Sequence, residues 1–250
     1  MHFLISSLFV VSILIFPSQI YSQTFGFGCL GFVGGYGGFT YQQYDADGLN
    51  SFVQSFNESR PTGSKQMDDF KFATGYRIGI NFFRATFKNG IILTAKGYYQ
   101  SLGKKNKASD EITNGVNDYA FDLDLKNWGL GLDVGLDLFK GISWKIIDGA
   151  LHFNNVKFTT TENFPGETIV TVYKNDGNEL SYSIGTGLIV SIIQDYISIE
   201  GLAGYTNLKV QEVKNNLGTP LLIPENDTKS FIKSGGFTAV IQLNVGFPLL

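Results

Sequence analysis

The stretch NWGLGLDVGLDLF at 127–139 alternates in size and polarity from one residue to the next. Trp128, Leu130, Leu132, Val134, Leu136 and Leu138 interleave with Gly129, Gly131, Asp133, Gly135 and Asp137. A strand sends successive side chains to opposite faces, so this segment has one large apolar face and one small or charged face. Residues 70–82 repeat the pattern, with Phe70, Phe72, Tyr76, Ile78, Ile80 and Phe82 against Lys71, Ala73, Gly75, Arg77, Gly79 and Asn81. Segments 180–192 and 237–247 follow the same rule. A soluble sandwich packs its apolar face inward and shows Lys, Glu and Thr to water. Here the second face is Gly, Ser, Asn and a few charges, which suits the crowded interior of a narrow barrel whose apolar set faces lipid. In hydrocarbon every backbone N–H and C=O must pair within the protein, so such strands must close on themselves. A lipocalin-like soluble barrel with an inverted pattern is the alternative.

Composition agrees with lipid as the outer solvent. Charged residues make up 16% of the chain, against about 25% in soluble domains, while 30 of 250 residues are Gly, 22 Phe and 12 Tyr. That mixture excludes a disordered chain, which needs low hydrophobicity and high charge. The single cysteine, Cys29, excludes a disulfide framework. A net charge of −3 lacks the basic footprint of a nucleic-acid binder. FLISSLFVVSILIF at 3–16, then Pro17 and a polar stretch to Ser22, reads as a cleavable export signal over 1–22, leaving 23–250 as one barrel domain. The signal lacks Lys and Arg before its apolar run, and a retained anchor is the alternative, although a spanning helix needs about 20 apolar residues.

The alternation predicts eight strands, at 25–43, 69–87, 90–102, 118–139, 142–160, 179–193, 196–212 and 235–249. Lys88-Asn89-Gly90, Lys140-Gly141 and Gln194-Asp195 are tight joints, and Asn-Gly is the strongest hairpin signal of the three. The joints at 44–68, 103–117, 161–178 and 213–234 are long and polar. Short and long connections in alternation mark an outer-membrane barrel with short periplasmic turns and long extracellular loops. The apolar phase changes at Lys126-Asn127, between Phe121, Leu123, Leu125 and the Trp128 series, which predicts a bulge. TIVTVY at 168–173 either forms a hairpin with 156–161 above the membrane or raises the count to ten.

GFVGGYGGFTY at 31–41, NWGLGLDVGLDLF at 127–139, YSIGTGL at 182–188, EGLAGYT at 200–206 and LNVGFPLL at 243–250 carry a resemblance. In these segments the chain resembles the small outer-membrane β-barrel family of Gram-negative bacteria, in the style of OmpX or the OmpA membrane domain. The resemblance lies in pattern over 23–250 and includes no diagnostic motif. It implies a closed antiparallel transmembrane barrel, monomeric, surrounded by outer-membrane lipid and lipopolysaccharide and inserted by the outer-membrane assembly machinery. Members of that family commonly end in an aromatic residue, whereas this sequence ends at Leu250 with Phe247 three residues earlier. No peptidoglycan-binding domain of the OmpA type is expected after the barrel.

The candidate chemistry is sparse. GFGCLG at 26–31 matches a dinucleotide-binding glycine pattern, but no strand precedes it and no helix is expected after it. Its glycines and their neighbours instead predict aromatics such as Tyr36 and Phe39 lying over bare backbone. Cys29 is expected to be a small buried residue. His152, the one histidine beyond the export signal, falls on the inner face with Asp148 and Asn154. It lacks a Ser and an acid at recognisable spacing, so an interior hydrogen-bonded role is expected rather than catalysis. Neither a metal, which wants several His or Cys ligands, nor a cofactor is expected.

Parity also places Lys71, Arg77, Lys96, Asp133, Asp137, Asp148 and Glu200 in the lumen. In so narrow a barrel they are expected to pair into a plug, because a lone buried charge is costly. In 47–58, Leu49, Phe52, Val53 and Phe56 follow a helical stripe, with Asp47 as the expected N-cap. Such a helix would cap the barrel mouth or present a contact face. Loop 103–117 runs from Lys104, Lys105 and Lys107 to Asp110 and Glu111 and is expected to be solvated. These features together predict a non-catalytic barrel with a structural or surface-interaction role through its long loops. The alternatives are a small-solute channel through the charged lumen and a lipid-modifying enzyme using His152.

Overall fold

The computed structural model describes residues 34–87, 90–112, 115–177, 179–193, 196–223 and 230–246. The expected export signal, the GFGCLG segment with Cys29, the joints at 88–89 and 194–195 and the Phe247–Leu250 end lie outside the described residues. The elements are β1 (Gly34–Asp45), α1 (Asp47–Glu58), β2 (Phe72–Thr86), β3 (Ile91–Ile112), β4 (Gly115–Phe139), β5 (Ile142–Phe164), β6 (Glu167–Lys174), β7 (Glu179–Ile193), β8 (Ile197–Asn207), β9 (Lys214–Asn215) and β10 (Ser234–Gly246). Antiparallel pairings run β1-β2-β3-β4-β5-β7-β8-β10, and β10 returns to β1, closing an eight-membered ring. The 168–173 segment adds nothing to that ring. As β6 it pairs with the upper half of β5, from Lys157↔Lys174 to Phe164↔Glu167, while β7 takes the lower half. The ring therefore has the eight strands that the alternation predicts.

The lower end carries the short connections. Gly141, at φ +85°, turns β4 into β5, and Gly90, at φ +79°, precedes β3; both conformations favour glycine. The outer wall of the ring is apolar, with Leu130, Leu132, Ile184, Leu188 and Ile241 all more than half exposed. Each of the eight strands also presents an aromatic residue near the top of this wall: Phe39, Tyr76, Tyr99, Trp128, Phe153, Tyr182, Tyr205 and Phe237. A second set, including Phe83, Phe139, Trp144 and Tyr196, lies towards the lower end. From Trp128 to Leu138 a strand rise of ~3.3 Å per residue, tilted by ~40°, gives a band about 25 Å tall. An apolar band of that height between aromatic girdles is the surface of a membrane-spanning barrel.

Above the upper girdle the polarity inverts. Phe121, Leu123 and Leu125 on β4 point inward and are buried, while Asp122, Asp124 and Lys126 point outward. The predicted bulge at Lys126-Asn127 is absent: Ser101↔Lys126↔Asn155 and Gln100↔Asn127↔Asn154 are in unbroken register. Odd-numbered residues face inward throughout, from Phe121 to Gly135. The surroundings change instead, from lipid outside and polar groups inside to water outside and an apolar core inside. The 103–117 segment, expected as a solvated loop, is mostly strand, because β3 and β4 continue as a tall hairpin paired from Ile91↔Leu136 to Ile112↔Gly115.

The inner face of this extension packs against α1 and against Leu208, Val210, Val213, Leu221, Phe231 and Ile232. Leu49, Val53, Phe70, Phe121, Phe158 and Phe231 form the centre of that upper core. No side chain caps α1, and Asp47 lies in its first turn rather than at the N-cap. The N–H groups of Gly48 and Leu49 donate instead to the carbonyls of Ser230 and Phe231, at 3.2 Å each, so backbone satisfies the helix start.

Candidate functional site

Three features are organised enough to be functional: the lumen network, the histidine beside it, and the sheet that rises above the barrel. In the lumen, Arg77, Lys96, Lys145, Asp133, Asp148 and Glu200 are all buried, and their formal charges cancel. Lys96 pairs with Asp148 and lies 3.7 Å from Asp133. Lys145 pairs with Glu200 and lies 3.1 Å from Asp133 and 3.4 Å from Asp148. Gln242 and Asn244 each donate to Glu200 at 3.2 Å. Among the described residues Arg77 takes no carboxylate. It donates to Gln100 Oε1 at 3.0 and 2.7 Å and stacks over the Tyr98 ring at 4.1 Å. Each cation therefore has protein partners, as buried charge requires.

Two residues expected in this network lie elsewhere. Lys71 precedes β2, is largely exposed and pairs with Asp69 at 3.1 Å. Phe70 turns into the upper core there, so the strand parity of β2 does not extend back to Lys71. Asp137 lies on the inner parity but at the exposed lower rim, where it accepts from Ser143 Oγ at 2.6 Å. Lys145 was not among the expected lumen residues although it contacts three carboxylates. Its pairing shifts at Ile146: Val134↔Ile147 is followed by Gly135↔Lys145, and the β7 register shifts across Lys145/Asp148. This extra residue brings both Lys145 and Asp148 inward, which simple alternation forbids.

His152 is 1% exposed. Its Nε2 lies 2.8 Å from Ser183 Oγ and its Nδ1 lies 3.3 Å from the Tyr98 hydroxyl. A serine nucleophile needs its histidine oriented by a carboxylate or a comparable acceptor; here a phenol occupies that position. A small void of about 30 Å³ adjoins Ser183, Arg77, Thr206 and Thr238, room for about one water. Tyr98 and Tyr36 also fill the space above Gly129 and Gly79, where a Cβ would collide with their rings. Phe39, by contrast, points out to the apolar band. Among the described residues no cluster of His, Cys, Asp or Glu could hold a metal ion.

The helix face expected from the 47–58 stripe turns inward. Leu49 and Val53 are wholly buried, and Phe52 and Phe56 pack at 5.4 and 4.9 Å from the Phe121 ring. Beyond α1, Arg60 lies over the Phe56 and Tyr119 rings at 5.1 and 4.9 Å and pairs with Asp110 on β3. Burial opposes the charge on Asp110, but hydrogen bonds from Arg60 and Ser64 outweigh it and hold the carboxyl below its usual range. This pair fastens the loop after α1 to the tall hairpin.

That hairpin continues through β5 into β6, and β6 is an edge strand. On its far side β9 pairs only with Tyr173 and Lys174. Among the described residues nothing pairs with the outer edge from Glu167 to Val172. Ile169 and Val170 are 42% and 55% exposed there, and Leu217, on the turn just after β9, is 89% exposed. Sequence alternation located β6 without revealing that its second edge is bare, because edge status depends on where β9 turns away.

No protein-family model matches the chain, and no curated protein matches it. Among solved structures the chain is similar to Ail, the attachment invasion locus protein of Yersinia pestis, at 13% identity over 86% of this chain and 98% of that one, with a TM-score of 0.40. It is also similar to the outer membrane protease OmpT of Escherichia coli, at 11% identity over 86% of this chain and 94% of that one, with a TM-score of 0.42.

Proposed function

We propose that the chain is an exported outer-membrane barrel whose role is non-catalytic: it presents the protruding sheet to the outside and engages extended polypeptide there. The short-turn end then faces the periplasm and the β3–β6 extension faces outward. The observation that carries this reading is the bare edge of β6 from Glu167 to Val172. An unpaired strand edge offers a row of N–H and C=O groups to another chain, and proteins usually blunt such edges with charge, proline or cover. Here Thr168, Ile169, Val170, Thr171 and Val172 interpose no charge, and Leu217, on the turn after β9, is exposed. Main-chain pairing would supply affinity, and the alternate side chains of β6 would supply selectivity. The cancelled charges of the lumen favour this reading over conduction, and the phenol at His152 Nδ1 favours it over hydrolysis.

Bacteria displaying the protein are expected to adhere to serum-coated plates and epithelial monolayers more than cells lacking it. The double substitution Val170→Lys and Leu217→Lys should remove that gain at equal surface abundance, since both residues are exposed and charge on an edge strand blocks pairing. Equal adhesion with and without the protein would overturn the reading.

A further inference from the structure

The outer wall between β2 and β4 is grooved rather than smooth. The Phe82 ring fills the space over Gly97 of β3, where a Cβ would collide with it, and closes the lower end of the groove. Ile78 and Ile80 form one side of the groove; Trp128 and Leu130 form the other. Tyr99 stands at its head, 5.1 Å from the Trp128 ring. The groove has a volume of about 690 Å³ and lies wholly within the upper half of the apolar band.

Polar groups sit directly above it. Ser101, Lys126 and Asn155 are paired across β3, β4 and β5 in one row, immediately over the row of Tyr99, Trp128 and Phe153. All three point outward, and Lys126 and Asn155 are exposed. The nearest outward carboxylate on β4, Asp124, is engaged by Lys157 at 3.2 Å and leaves Lys126 unneutralised. From bottom to top this sector therefore offers an apolar trough, an aromatic step and a cation flanked by a hydroxyl and an amide. That sequence of chemistries matches an acyl chain, an ester region and a phosphate.

We propose that this sector binds one anionic, phosphate-bearing membrane lipid, with an acyl chain above Phe82 between Ile78 and Trp128 and its phosphate on Lys126, Ser101 and Asn155. The proposal rests on the membrane-spanning reading of the barrel, and it is independent of the β6 edge. Ammonium-to-phosphate attraction at a membrane surface is stronger where no choline masks the phosphate, so the site should distinguish phosphatidic acid from phosphatidylcholine.

The chain has two tryptophans, so Trp144→Phe leaves Trp128, inside the groove, as the sole tryptophan, read by excitation at its red edge. Refolded into phosphatidylcholine vesicles, this protein is titrated with dibrominated phosphatidic acid or with dibrominated phosphatidylcholine. A lysine near an anionic surface strengthens binding about fivefold, and the brominated phosphatidic acid should quench Trp128 at correspondingly lower mole fraction. Lys126→Glu, an exposed change, should abolish the preference. Equal quenching by both lipids, or a preference that survives Lys126→Glu, overturns the site while leaving the barrel reading intact. Absence of quenching by either lipid overturns the membrane-spanning reading and the site with it.

Discussion

Lys145 lies in contact with Asp133, Asp148 and Glu200, and no other lumen cation contacts all three. Its removal would leave Asp133 with only Lys96, at 3.7 Å, and Glu200 with amide donors alone. Breaking a buried ion pair from one side typically costs about 3–5 kcal/mol, because the remaining charge stays desolvated. Lys145→Met is therefore expected to lower stability in a urea titration of the vesicle-inserted protein by about 3 kcal/mol. Lys105→Met removes an exposed lysine 3.9 Å from Asp122 and should change it by less than about 0.5 kcal/mol. A loss at Lys145 no larger than at Lys105 would mean that the network does not hold the wall together. At this scale the sequence was legible where the strand was regular: Arg77, Lys96, Asp133, Asp148 and Glu200 all lie where parity put them. It failed where parity lacks information. An extra residue at Ile146 reverses the side of Lys145, and neither the start of β2 beyond Lys71 nor the lower rim at Asp137 is marked by alternation.

A single strand, β4, meets two outer solvents, with no break in register between Asp124 and Leu130 where they change. Below Trp128 its outward residues are Leu130, Leu132 and Val134; above it they are Lys126, Asp124 and Asp122. The alternation was plain in the sequence, but a period of two identifies only which residues share a face. It cannot identify what that face touches, so an inversion of polarity looks like a slip in phase. The change of phase within 118–139 thus predicts a bulge at Lys126-Asn127, although the strand passes that point in unbroken register. Three lysine substitutions on β4 separate the two accounts. Leu132→Lys places a charge in mid-bilayer and should cost about 2–4 kcal/mol. Asp124→Lys, outward in water, should lie within about 0.5 kcal/mol of the parent. Leu123→Lys buries an unpaired charge in the upper core and should prevent that half from folding, as read by amide exchange across β3–β5. Tolerance at Leu123 together with loss at Asp124 would restore the bulge and refute the unbroken register.

Among the described residues, two layers of different chemistry lie across the interior. The membrane-level plug is ionic and lies between Lys96, Asp133, Lys145, Asp148 and Glu200. The upper closure is apolar, with Leu49, Val53 and Phe70 packed against Phe121 and Phe158. Towards the short-turn end a polar vestibule is lined by Asn81, Arg84, Ser191, Ser198 and Asn244, and Asn244 donates to Glu200. The two closures answer to different forces. Removing the helix exposes the top of the lumen to water but leaves each interior charge with its partner. Replacing 46–70 by a short Gly-Ser linker from Asp45 to Lys71 should therefore leave the planar-bilayer current at baseline, as for the intact protein. Only simultaneous loss of the ionic plug should admit ions, because water then has a continuous polar path from the vestibule upward. Reproducible single-channel steps from the intact protein would refute closure at both levels. Steps from the linker variant alone would place the seal in the helix and reduce the charged network to a lining.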